Sequence, residues 1–368
     1  MAAKDIILSD GAELEVSIVN FGLGRIRQSL VGFSILLASF FTASTPASAQ
    51  SVEGFYEDNV LSLYIGFSVG GGYDAYGRIL SRYLGRHIPG NPTVVPINME
   101  GAGSLKLANW LYNAAPQDGS AIGIISRGVP FEPLVGNRAS SMFDASQFTW
   151  IGSTTDEVSV CASWERTGIT SFDQLYEKEL IVGGTGSGAD ADVFPKVISG
   201  VLGANLRLVS GYPGGNDIQF AMERGEVDGR CGWSWSSIIA TKQQWLDEGT
   251  INILVQLALH KHPDLPDVPL ITDLARTEEE RQIFRLIFVR CVLGRPFLGP
   301  PNMPADRVAA LRAAFDATME DPEFLEEAMR SRLEITPIPG NELQDLVAEV
   351  YATSPEIVAK TREYLRAR

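Results

Sequence analysis

Four glycine-rich stretches are the parts of this chain whose residue types and spacing suit chemistry. They are 66–74 (Gly-Phe-Ser-Val-Gly-Gly-Gly-Tyr-Asp), 100–104 (Glu-Gly-Ala-Gly-Ser), 183–190 (Gly-Gly-Thr-Gly-Ser-Gly-Ala-Asp) and 211–216 (Gly-Tyr-Pro-Gly-Gly-Asn). Each follows a short apolar run that reads as a strand. Glycine lets the backbone approach a ligand, and a helix N-terminus aims free N–H groups and a positive dipole at it. Four such loops at the carboxyl ends of strands can enclose a small anion without any basic side chain. The plain alternative is that these glycines only make turns and caps; four of them at matching strand ends favour binding. The candidate donors are the amides of Gly70, Gly71 and Gly72 and those of Gly101, Ala102, Gly103 and Ser104. Thr185, Gly186, Ser187, Tyr212 and Gly214 are their counterparts further along, and Ser68, Tyr73 and Ser126 complete the set. Asp74 reads as a helix cap. Asp190 reads either as a cap or as a selector for a ligand hydroxyl or ammonium. Arg127 is either a bidentate carboxylate partner or a solvated cation. Trp233 and Trp235 offer stacking surfaces for an aromatic acid, although core or hinge packing is the commoner use of such residues.

Sharper enzyme motifs mostly fail. Residues 66–70 match G-x-S-x-G, but that elbow needs an oxyanion loop from an earlier strand and a late histidine. Here the motif follows the first strand after the leader, and two further glycines separate Ser68 from the helix. A secreted serine hydrolase using Ser68 is therefore the rival class. Gly184, Gly186 and Ala189 match a permissive dinucleotide pattern, yet no acid at the end of the next strand awaits a ribose hydroxyl. No phosphate-binding G-x-x-x-x-G-K-[ST] occurs. His260, His262 and Asp264 lack a further metal ligand, and His87 reads as a helix-end residue. Cys161, Cys231 and Cys291 fit no zinc spacing; they form at most one disulfide or stay as buried thiols, and the sequence does not choose a pair. No metal, cofactor or catalysis is expected.

The elements that must position these loops alternate. Apolar runs at 61–65, 93–97 and 121–126 read as strands; Tyr76, Ile79, Leu80, Tyr83 and Leu84 share one helix face, and Leu107, Trp110 and Leu111 another. The order restarts with strands at 180–183, 206–209 and 226–231, and helices at 193–201 and 217–224. The run 251–259 leads back to the first half, and the tail is helical. β-α-β order predicts parallel sheets with covered faces. The fold class is α/β in two lobes, each a sheet with helices on both faces. Residues 50–160 with about 255–368 form lobe 1, and 161–254 form lobe 2.

The whole chain of 368 residues carries a formal charge of −15, from 30 basic and 45 acidic side chains. That excludes a general nucleic-acid binder and a surface that hugs anionic lipid. Arg25 and Arg27, an apolar run at 30–41 and Ala47-Ser48-Ala49 read as a secretory signal peptide cut after Ala49, with Val19 as an alternative start. The run is too short to span a bilayer. The arginines are not adjacent, so it is no twin-arginine signal, and the mature protein is expected in the periplasm.

Several short motifs in fixed order carry a resemblance. They are Phe67-x-x-Gly70-Gly71-Gly72-x-Asp74 with Arg78, Asn98 with Gly101-Ala102-Gly103, and Ala115-Pro116 with Asp118-Gly119. Gly186-Ser187 with Asp190, Tyr212-Pro213-Gly214, Gly225-x-Val227-Asp228 and 265–269 (Leu-Pro-Asp-Val-Pro) follow. Together they resemble the Bug-type receptors, the extracytoplasmic solute-binding proteins of tripartite tricarboxylate transporters, over essentially the whole mature chain. The resemblance implies a monomeric two-lobed receptor of the type II periplasmic binding-protein kind. It implies closure on a small carboxylate, gripped by backbone amides, hydroxyls and ordered waters, and delivery to membrane subunits. A ligand-sensing module for a membrane sensor is the other reading. The chain departs from the family where Gly66 replaces a proline, Tyr73 a small residue, Ser104 a glycine and Asp190 a histidine.

Overall fold

The computed structural model describes residues 50–136 and 138–366; the expected signal peptide lies outside the described residues. In chain order the strands are β1 Leu61–Ile65, β2 Val94–Asn98, β3 Ala121–Ile124, β4 Thr149–Ser153, β5 Ser159–Trp164, β6 Leu180–Gly183, β7 Leu206–Val209, β8 Gly229–Ser234, β9 Ile251–Leu257, β10 Pro296–Gly299 and β11 Ile338–Pro339. They form two sheets, ordered β11-β4-β10-β3-β1-β2 and β7-β6-β8-β5-β9.

One side of each sheet behaves as its sequence predicts. β1 pairs in parallel with β2 and β3, and β6 in parallel with β7 and β8. Parallel pairs need a crossover, and helices Gly72–Tyr83 and Asp190–Leu202 supply it. Helix Gly72–Tyr83 buries Tyr76, Ile79, Leu80 and Tyr83 on one face. It lies close on β1 because Gly77 has no side chain: a Cβ there would be 2.9 Å from Ile65.

The other side of each sheet corrects the expectation of purely parallel sheets. The chain passes from the first sheet to the second through only 154–158, so β5 enters antiparallel to β8. β10 returns to the first sheet antiparallel to both β3 and β4. The run 251–259 does not lead straight back either: β9 pairs with β5 along 251–257 as the edge of the second sheet. The expected lobe limits at 160 and about 255 thus fall inside β5 and β9, two strands of one sheet.

One hydrophobic cluster joins the lobes. It runs from Leu107, Leu111 and Trp150 to Phe194, Val197 and Ile198, and on to Phe284, Phe288 and Val358 of the C-terminal helices. Cys161 of β5 and Cys231 of β8 are bonded to each other, which settles the pairing left open by the sequence; Cys291 is a buried free thiol. Among the described residues no helix is long and apolar enough to cross a membrane.

Candidate functional site

The glycine loops of the two lobes meet face to face. A Cβ at Gly103 would lie 2.7 Å from the Ala189 nitrogen, and one at Gly186 would lie 2.4 Å from the Ala102 carbonyl carbon. At Gly214 it would meet Ser68 Oγ at 2.2 Å, and at Gly72 it would meet Ser237 Oγ at 2.0 Å and Ser237 Cβ at 3.0 Å. These glycines therefore serve the close approach of lobe to lobe. Hydrogen bonds cross the same seam: Ser68 Oγ donates to Asp217 at 2.6 Å, and Arg127 Nε donates to Asp190 at 2.6 Å. Within the first loop pair, Ser104 fills the space that a side chain at 66 would need. A Cβ at Gly66 would lie 2.2 Å from Ser104 Oγ, which itself accepts from the Ser126 amide at 3.0 Å.

A cavity of about 40 Å³ remains between the lobes, room for about three waters at 10–15 Å³ each. The first lobe contributes Phe67, Gly71, Gly72, Tyr73, Ser126, Arg127 and Arg295. The second contributes Thr185, Asp190, Gly215, Gln219, Arg230, Ser234 and Ser237, among others. Helices Gly72–Tyr83, Asp190–Leu202 and Gly215–Arg224 begin at this wall, and their caps Gly71, Ala189 and Gly214 make no side-chain cap bond. Their positive dipole ends face the cavity. The fourth helix there, Trp235–Asp247, is closed by Glu157, whose carboxylate accepts from the Ser236 amide at 3.3 Å. Gly232 sits in β8 at φ +77°, and a Cβ there would be 2.6 Å from Asp190 carbonyl carbon. That contact brings the start of the Asp190 helix to the cavity.

Three guanidiniums line the space. Arg127 is 1% exposed and bonds Asp190 and Ser159 Oγ. Burial, the largest single influence, opposes its charge, but Asp190, with smaller help from Cys291, Tyr73 and Glu157, holds it above its ordinary pKa. Asp190 is shared, since Arg290 lies 3.7 Å from its other oxygen. Arg295, also 1% exposed, donates to Glu157 at 3.1 Å and Ser237 Oγ at 2.8 Å, and stacks 4.4 Å from the Tyr73 ring. Arg230, on β8, lies over Trp233 and reaches only the Gly215 carbonyl, at 3.4 Å. Burial, reinforced by Arg295, pushes its pKa down.

Of the residues singled out from the sequence, Gly71, Gly72, Tyr73, Ser126, Arg127, Thr185 and Asp190 line this cavity. Ser68, Ala102, Gly103, Gly186 and Gly214 stand at the seam around it, and Gly70 lies against Asn216. Gly101 shapes its turn at φ +144°. Ser187 faces a separate hollow with Lys196 and Arg362, and Tyr212 reaches Glu226 at 3.5 Å. Asp74 accepts from the Gly70 amide at 3.0 Å and holds Arg78 and Asn98. Trp233 is fully buried against Trp245, and Trp235 donates to Asp264 at 3.3 Å; both are packing residues. Sequence reasoning missed Arg230 and Arg295. A charge inside an apolar run was the available signal, because such a residue is buried only with partners.

Ser68 has no histidine partner; its hydroxyl donates to the Asp217 carboxylate. The three histidines are engaged elsewhere: His87 with Asp321, His260 near Asp156, and His262 between Asp264 and Glu334. Among the described residues no group of three or more His, Cys, Asp or Glu side chains is placed to hold a metal.

No family model matches the sequence, and a search of curated proteins finds no match. Solved structures share the fold. The periplasmic binding protein BugD aligns with a TM-score of 0.67 at 18% identity, covering 83% of this chain and 98% of its own. R. palustris Rpa4515 with adipate gives 0.65 at 18% identity, over 83% and 98% of the two chains. MatC (Rpa3494) from Rhodopseudomonas palustris with bound malate gives 0.62 at 17%, over 84% and 99%. At these identities the likeness is one of fold: two lobes, each a mixed α/β sheet with helices, as the sequence led one to expect.

Proposed function

We propose that this chain is a Bug-type extracytoplasmic receptor that captures a small carboxylate between its lobes and delivers it to the membrane subunits of a tripartite tricarboxylate-type transporter. One observation carries the reading. In a chain of charge −15, the closed seam between the lobes holds a cavity faced by three guanidiniums and three uncapped helix starts. Local donors of that kind attract an anion against the global field. The ordered motifs and the shared fold support the same assignment. The receptor works in the periplasm as a monomer after cleavage at Ala49, needs no cofactor and performs no chemistry. Parting of the lobes admits the ligand; their closure buries it and presents the closed form to the membrane subunits.

The test is a thermal-shift screen of the purified protein against small carboxylates, after unfolding and refolding to strip any retained ligand. A ligand at 100 times its Kd adds about 2.7 kcal/mol, a rise of a few degrees in Tm. A selective rise supports the reading. No rise with any carboxylate, with ester hydrolysis that Ser68→Ala abolishes, overturns it in favour of a hydrolase.

A further inference from the structure

Arg127, Arg230 and Arg295 converge on one small cavity, and each keeps a buried N–H without a partner: Nη1 of Arg127 and Nε of the other two. Buried donors are almost always satisfied, and an exception calls for an occupant such as water or an ion. The three are not equivalent. Arg127 has Asp190 and Arg295 has Glu157. Among the described residues Arg230 has no carboxylate within 4.0 Å, and its one hydrogen bond is the long contact to Gly215. Its charged neighbours are the other two guanidiniums and the already shared Asp190. An uncompensated cation in such a place costs stability until an anion arrives.

We propose that Arg230 takes the ligand's carboxylate directly, with the free N–H groups of Arg127 and Arg295 completing an oxyanion subsite. This rests on the receptor reading and changes its chemistry. The resemblance implies a grip by amides, hydroxyls and waters; here a guanidinium supplies the charge and a planar pair of donors suited to a carboxylate. Arg127 and Arg295 stay in their internal pairs and position the site.

The experiment is a cycle on protein and ligand. Wild type and Arg230→Gln are titrated with the tightest-binding carboxylate of a panel of acetate, malate, succinate and adipate, and with the amide that replaces the gripped carboxylate. The amide is expected to bind wild type at least 30-fold more weakly than the acid. In Arg230→Gln that difference shrinks below about threefold. The free variant also melts higher than free wild type, because a buried unpaired cation has gone; a purely structural arginine would lower it. Arg230→Lys, which keeps the charge but loses the planar pair, falls between the two. If Arg230→Gln binds the acid as wild type does, or still separates acid from amide 30-fold, the subsite is overturned while the receptor reading stands. If wild type binds no acid of the panel, both fall.

Discussion

Gly72→Ala separates lobe closure from folding. Gly72 opens a helix and does not have a positive φ, so alanine fits the backbone and reduces the freedom of the unfolded chain. That change alone stabilises by about 0.4–1 kcal/mol. In the closed form, however, the new methyl group lies 2.0 Å from Ser237 Oγ and 3.0 Å from Ser237 Cβ, across the seam. Rotation of the hydroxyl relieves the first clash. The second remains short of the usual carbon contact of about 3.5–4.0 Å, by about half an ångström or more. Overpacking of this kind costs about 1–3 kcal/mol. Most of it falls on the closed form, because the remaining neighbour, Arg295 Nη2 at 3.1 Å in the same lobe, is the far end of a flexible side chain. Ligand affinity should therefore drop by about 5- to 150-fold, at 1.4 kcal/mol per factor of ten, while the free protein melts no lower. Calorimetric titration measures the loss, and small-angle scattering shows a larger radius of gyration at saturating ligand. Ser237→Gly in the same chain removes the opposing Cβ and should recover most of the loss, a coupling read from the double-mutant cycle. Binding within twofold of wild type for Gly72→Ala, or no recovery in the double variant, would refute closure at this contact.

Asp190→Asn leaves Arg127 and Arg290 without their shared carboxylate, and breaking such a buried pair costs about 3–5 kcal/mol. A lower denaturant midpoint with an unchanged m-value is the expected result. Burial pushes the Cys291 thiol up to about 12; iodoacetamide should leave it unlabelled in the native protein at pH 8 and label it after unfolding. His262 titrates above its ordinary value because the Glu334 carboxylate lies 3.5 Å from its Nε2, although partial burial works against this; Asp264 and Glu157 add smaller upward pulls. Its contribution is complete below the unfolded value of about 6.5 and is lost as pH rises through the higher folded value. His262→Gln should flatten the fall of Tm across that window and leave the rest of the profile in place.

The parallel heart of each lobe was legible because it is built locally. β1, β2, β3, β6 and β7 are apolar runs closed by glycine turns, and their helices show a 3.6-residue period. The antiparallel strands β5, β9 and β10 were not, because their pairing depends on where the chain crosses between sheets, which no local pattern records. The glycines were found, and their placement explains what they do: many bring backbone against backbone across the seam, so fewer of them face the cavity. Arg230 and Arg295 escaped notice because each sits in a short strand-like stretch that reads as ordinary core. Their partners, Gly215 for one and Glu157 for the other, are 15 and 138 positions away.

The fit of Ser104 against Gly66 makes these two positions a single unit for any substitution. A Cβ at 66 would lie 2.2 Å from Ser104 Oγ and 2.7 Å from Ser104 Cβ, so rotating the hydroxyl does not make room for it. A side chain at 66 is accommodated only where 104 carries none, and the order of two substitutions decides whether a double variant passes through a clashing single one.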